Sequence, residues 1–291
     1  IILYVLYYIY KKISCILNTN NRILSGKANF LLESLISQNK NFFNIQDAIE
    51  IIENSSITNV SELLRSIARR GRIRKISAGL YCIVPLGENA DTYLPDWHLT
   101  AKELVNNSPY YIGFYSALDI HGLITQPSLT EQVVTSKQFI PKHKKIGSVK
   151  FEFIYFNEKH FFGFENTWID KYDKIQCSDL EKTFIDCLYK PGYGSGITEI
   201  VKAIYKARDK ISEEKMLNYL EKFDSQAVMQ RLGFILSKLD ILYMLRKYLQ
   251  SNITKVYTPL DPSLPSEGKY HSQWSIQENI KFEEIKNSLE N

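Results

Sequence analysis

Between Val60 and Val84 the chain carries a pattern that few folds accommodate. Val60, Leu63, Leu64, Ile67 and Ala68 fall at i, i+3, i+4, i+7 and i+8, one face of a helix. Asn59 is an N-cap type, and Glu62 stands three residues on, in capping-box position. Gly71 ends the helix, because it can take the left-handed conformation just past the last turn. Ile73 and Ile76, then Leu80, Cys82 and Val84, fit two short strands, with Ala78-Gly79 as the turn. Two further helices are expected ahead of this one. The first spans 28–38, with Phe30, Leu31, Leu35 and Ile36 on one face. The second spans 45–52 behind an Asn44 cap, with Ile45, Ala48, Ile49 and Ile52 as its stripe. Three helices followed by a hairpin is the order of a winged helix-turn-helix, expected over residues 28–87.

From Leu63 to Gly87 the charge has one sign. Arg65, Arg69, Arg70, Arg72, Arg74 and Lys75 lie together, and no acidic residue occurs between Glu62 and Glu88. Opposite the apolar stripe stand Ser61, Glu62, Arg65, Ser66 and Arg69. In a helix-turn-helix the second helix of the motif enters the major groove, where arginine can bond guanine O6 and N7. Ser61, Arg65, Ser66 and Arg69 are therefore the candidates for reading bases. Arg70, Arg72, Arg74 and Lys75 are the candidates for holding phosphates, which fixes register without reading sequence.

Over the whole chain this concentration is diluted. The 291 residues hold 36 basic and 32 acidic side chains, net +4, with 44% hydrophobic and 23% charged residues. Those values exclude a disordered chain, and four cysteines exclude a disulfide scaffold. Cys15, Cys82, Cys177 and Cys187 form no C-x-x-C pair and have no histidine at zinc-ligand spacing, so they read as core residues of a protein in a reducing cytoplasm. No stretch reaches 18 uninterrupted apolar residues. The apolar run at 1–10 is about half the ~20 residues a spanning helix needs. Lys11 and Lys12 follow that run, whereas a signal peptide carries its charge first. Residues 1–27 are read as an additional N-terminal helix or an over-extended reading frame.

The segment PLGENADTYLP (85–95), rich in proline and acid, is the expected connector, with the linker proper at 88–95. A second domain is expected over 96–291: a mixed α/β domain with its strands first and its helices later, making the whole chain α+β. Its expected elements are a helix capped by Asp96, a strand at 110–114 and a short helix at 116–121. Half-buried strands follow at 131–137 and 149–156, then one at 167–175. Helices come next at 178–190, 197–207, 212–221 and 224–249, and a last strand lies within QWSIQ.

Chemistry is harder to find there. Ser178-x-x-Glu181 is a capping box. KPGYGSGI (190–197) follows a helix and lacks the G-K-[ST] ending of a phosphate loop, so it reads as a plain loop. The five histidines are scattered, and no catalytic residue, metal site or cofactor is expected. An enzyme alternative, a nuclease or phosphotransferase delivered by the helix-turn-helix, would use Asp170, Asp179, Glu181 and Asp186. Another alternative is a plain regulator whose second domain senses a ligand or dimerises. A second basic cluster, in the loop around FIPKHKKIGS, makes Lys142, Lys144 and Lys145 candidates for extra phosphate contacts.

The run SELLRSIARRGRIRKISAGLYCI resembles the N-terminal part of AbiEi antitoxins, the regulators of type IV toxin–antitoxin (abortive infection) systems. The resemblance continues through YYIGFYSALDIHGL, CSDLEKTFIDCLYKPGYGSGITEI, QRLGFILSKLDI and LDPSLPSEGKYHSQWSIQEN, covering roughly 28–279. It implies a cytoplasmic antitoxin that binds inverted repeats in double-stranded DNA at its own promoter and represses its operon. It implies a C-terminal domain that counters a nucleotidyltransferase-like toxin without a stable complex. It supplies no catalytic residues.

Overall fold

The computed structural model describes residues 24–289 apart from Thr125 and Tyr172. The expectation for residues 1–27 lies almost wholly outside the described residues, as does Cys15. The architecture is α+β, with eleven helices and three sheets among the described residues. Contacts divide the chain into two units at Asn106/Asn107. The boundary therefore falls beyond the expected linker at 88–95, and the helix capped by Asp96 groups with the first unit.

In the first unit, Ser25 caps α1 (Gly26–Ser37), which buries Ala28, Leu31, Leu32 and Leu35. Phe30 and Ile36, expected on that face, are 56% and 54% exposed. At ~100° per residue Phe30 lies nearly opposite the Ala28–Leu35 face. A three-residue strand that the sequence did not suggest, β1 (Phe42–Asn44), comes next. Asn44 then caps α2 (Ile45–Ile51) in a capping box with Asp47. The third helix, α3 (Ile57–Arg69), is followed by β2 (Ile73–Ser77) and β3 (Leu80–Ile83). Gly79, at φ +76°, makes the turn between those strands.

The sheet order is β1-β3-β2, all antiparallel. A register shift between Lys75 and Ser77 lets Ile73 and Ile76, an odd number of residues apart, both turn inward. The core gathers Leu31, Leu35, Phe43, Ala48, Val60, Leu64, Ile67 and Ile73 from all three helices and the sheet. After the connector comes α4 (Trp97–Leu104), capped by Asp96 as expected.

The second unit is built on a six-stranded mixed sheet, ordered β6-β7-β5-β4-β9-β8. Its strands are β4 (Tyr110–Ile112), β5 (Thr130–Thr135), β6 (His143–Ile146), β7 (Val149–Tyr155), β8 (Phe164–Trp168) and β9 (Lys174–Ser178). The pairs β5–β7 and β4–β9 are parallel. Between β4 and β5 lies α5 (Phe114–Ile120). The helical half contains α6 (Leu180–Tyr189), α7 (Gly196–Ala207), α8 (Glu213–Phe223), α9 (Gln226–Leu239) and α10 (Tyr243–Asn252). A three-stranded sheet, β10 (Thr258–Pro259), β11 (Lys269–His271) and β12 (Ile276–Glu278), and α11 (Phe282–Asn287) complete it.

Four expectations for this unit are corrected. The strand at 167–175 is two strands, β8 and β9. Asp170 accepts the Asp173 N–H at 2.7 Å between them, a turn that explains the acids in the run. The helix at 224–249 is two helices, because Asp240 and Leu242 take left-handed backbone at φ 55° and 51°. Strand β5 is buried from Glu131 to Thr135 rather than on alternate residues, since it is central in its sheet. The basic loop holds an edge strand, β6, paired antiparallel with β7.

No helix among the described residues is long and apolar enough to cross a membrane.

Candidate nucleic-acid interface

The expected cap of α3, Asn59, is inside the helix. Ser56 is the cap, its Oγ accepting the Asn59 N–H at 3.2 Å. Both residues are good caps, and the helix begins at the earlier one. At the other end the Gly71 N–H bonds the Ala68 carbonyl at 2.9 Å, and the Arg72 N–H bonds the Ile67 carbonyl at 3.2 Å. This is the Schellman pattern, with Gly71 at φ +67°. The helix is therefore fixed at both ends, and Val60, Leu64 and Ile67 fix its rotation by facing the core.

That rotation sets the outward side. Thr58, Glu62, Arg65 and Arg69 are exposed at i, i+4, i+7 and i+11, a single stripe. Ser61 and Ser66, the other two base-reading candidates, are half-buried on its flanks. Arg70 is exposed at the helix end, and Arg72 is half-buried. On the hairpin, Lys75 is exposed opposite Tyr81, whereas Arg74 is half-buried opposite Cys82. The Arg74 guanidinium donates to the Tyr93 carbonyl, so its first role is to hold the connector against the sheet. Burial pushes the adjacent Cys82 thiol up to about 11. Among the described residues, no acidic side chain holds Arg65, Arg69, Arg70 or Lys75. A cavity of about 370 Å³ at the start of α2, the hairpin turn and the end of α4 includes no residue of α3.

Thr58 and Glu62 belong to the outward stripe without being among the base-reading candidates. The helix period alone puts Glu62 on this face, and Thr58 joins it because the helix begins after Ser56 rather than after Asn59.

In the second unit Lys142 and Lys145 are exposed, and Lys144 is half-buried on β6, where burial lowers its pKa. Neighbouring His143 and Lys150 each lie 3.2 Å from Glu152, which offsets part of that cluster's charge. The Gly-rich loop at 190–197 meets a carboxylate of the chain itself. Asp261, 3% exposed, accepts the Ile197 N–H at 3.2 Å at the start of α7.

The four acids of the enzyme alternative are all engaged by the fold. Asp170 holds the β8–β9 turn. Asp179, rather than Ser178, is the N-cap of α6, and its other oxygen accepts from the Tyr219 hydroxyl at 2.8 Å. Glu181 accepts the Ser212 N–H at 2.9 Å and lies 3.3 Å from Lys215. Asp186, fully buried, pairs with the buried Lys182 ammonium and accepts from Tyr111 at 2.9 Å. Burial drives the Lys182 pKa down and the Asp186 and Tyr111 values up. No group of three or more His, Cys, Asp or Glu side chains with metal-binding geometry occurs among the described residues.

No family model matches the chain, and no curated protein does. A solved structure does match in fold: the crystal structure of the RV2827C protein from Mycobacterium tuberculosis. It has a TM-score of 0.69 and 13% sequence identity, covering 93% of this chain and 97% of that one.

Proposed function

We propose that this chain is a DNA-binding antitoxin and autorepressor of the AbiEi type. Residues 28–87 act as a winged helix-turn-helix that binds inverted repeats at its own promoter. In this reading α2 and α3 are the helix-turn-helix, α3 lies in the major groove, and the β2–β3 hairpin is the wing. Arg65 and Arg69 reach base edges from the outward stripe, with Ser61 and Ser66 beside them. Arg70, Arg72 and Lys75 hold phosphates, with Arg74 bracing the wing. Lys142, Lys144 and Lys145 supply further phosphate contacts.

The observation that carries the reading is the outward stripe of α3. Among the described residues its arginines have no acidic partner, on a helix whose ends and rotation the fold fixes. Exposed arginines that no carboxylate holds are the electrostatic footprint of a polyanion partner. The element order helix, strand, helix, helix, strand, strand, with sheet order β1-β3-β2, supports it further.

The second unit is assigned the antitoxic activity, against a nucleotidyltransferase-like toxin encoded beside it and without a stable complex. Co-expression tests this half. The neighbouring gene alone should arrest growth, and this chain in trans should restore it without co-purifying. An adjacent gene that is harmless overturns the antitoxin role while leaving the repressor role standing.

A further inference from the structure

The outward stripe of α3 contains one residue that a surface built only for phosphates would not keep. Glu62 is exposed between Thr58 and Arg65, and no further acid occurs until Glu88. The fold makes no visible use of it. Ser56 is the helix cap, so Glu62 does not close a capping box with Asn59. No hydrogen bond or ion pair holds its side chain among the described residues.

A carboxylate only accepts hydrogen bonds. Phosphate oxygens, guanine N7 and O6, and thymine O4 are acceptors too, so Glu62 is repelled by most of what a duplex presents. The donors in the major groove are the amino groups of cytosine and adenine, and Glu pairs with cytosine N4. Three residues of helix advance about 4.5 Å, and stacked bases advance about 3.4 Å. A contact made by Glu62 therefore lies within one or two base pairs of one made by Arg65.

Resting on the DNA-binding reading above, we propose that Glu62 is a specificity-determining residue. It accepts from a cytosine amino group within one or two base pairs of the guanine that Arg65 reads, and it rejects sites that offer an acceptor there. The residue lowers affinity for arbitrary duplex and raises discrimination at one position.

The test is enrichment of bound sequences from a randomised duplex pool, using the full chain as wild type, Glu62→Ala and Glu62→Gln. Circular dichroism checks each fold, which exposure of the side chain predicts to be unchanged. The wild type should enrich cytosine at one position beside an Arg65-dependent guanine. Glu62→Ala should lose about five-fold or more of that preference while other positions keep theirs, and should bind arbitrary duplex more tightly at low salt. Glu62→Gln should shift the same position toward adenine, which glutamine reads. Identical base frequencies for all three proteins overturn the role of Glu62 and leave DNA binding intact. A wild type that enriches no sequence overturns both.

Discussion

The two units treat charge in opposite ways. In the second, several charged side chains are buried and held by partners within the fold. Lys182 and Asp186 are both fully buried, tied to each other and to Tyr111. Four rings, those of Tyr111, Phe156, Phe162 and Phe223, lie 5.1–5.2 Å from the Lys182 ammonium. Arg231, 4% exposed, donates to the carbonyls of Leu188 and Pro259, and burial lowers its pKa to about 10. In the first unit Arg65, Arg69, Arg70 and Lys75 stand in solvent without acidic partners among the described residues. Buried ions must be paired to be tolerated, because leaving water costs several kcal/mol per ion. Exposed ions carry no such requirement, and under the proposed reading these four are left to bind a partner outside the chain. The contrast separates charge spent on folding from charge available for binding.

The sharpest way to break that contrast is at Asp186. Asp186→Ala leaves the Lys182 ammonium buried without its carboxylate, and urea denaturation should show a loss of about 3–5 kcal/mol. The double variant Lys182→Met/Asp186→Leu should recover most of that loss, because two apolar side chains need no partner. A double variant as unstable as the single one would mean that the pair is not a closed internal unit. Within the first unit, Arg74 and Lys75 are adjacent in sequence and differ in role. Arg74→Ala should cost about 1 kcal/mol by releasing the Tyr93 carbonyl. Lys75→Ala should leave the melting temperature unchanged and lower the salt dependence of duplex binding by about one phosphate contact. A last pair of variants concerns the cap. Ser56→Ala should destabilise by about 1 kcal/mol, while Asn59→Ala should change unfolding by less than about 0.5 kcal/mol.

These elements also show what local pattern can reveal. The apolar face of α3 and the turn glycines were legible, because they rest on spacing within a few residues. The start of α3 was not, since Ser56 and Asn59 are equally suited to capping and only the chain path chooses. Strand β1 is too short to display alternation. The break between α9 and α10 has no proline or glycine to announce it, and the Asp240–Leu242 backbone makes it. Of the candidate site, Arg65 and Arg69 stand where the helix period puts them, but Arg74 is half-buried on a carbonyl 19 residues away, a contact that no local pattern shows. The Tyr111–Lys182–Asp186 group joins positions more than 70 residues apart, beyond any local pattern.

The central claim is that the unpartnered stripe of α3 holds duplex DNA. Footprinting of the full chain on the DNA upstream of its own gene tests it most directly, comparing wild type with Arg65→Ala/Arg69→Ala. The account predicts protection of two related half-sites by the wild type. It predicts loss of that protection by the double variant at an unchanged melting temperature, each arginine being worth about 1–3 kcal/mol of binding. Equal protection by both proteins would contradict it.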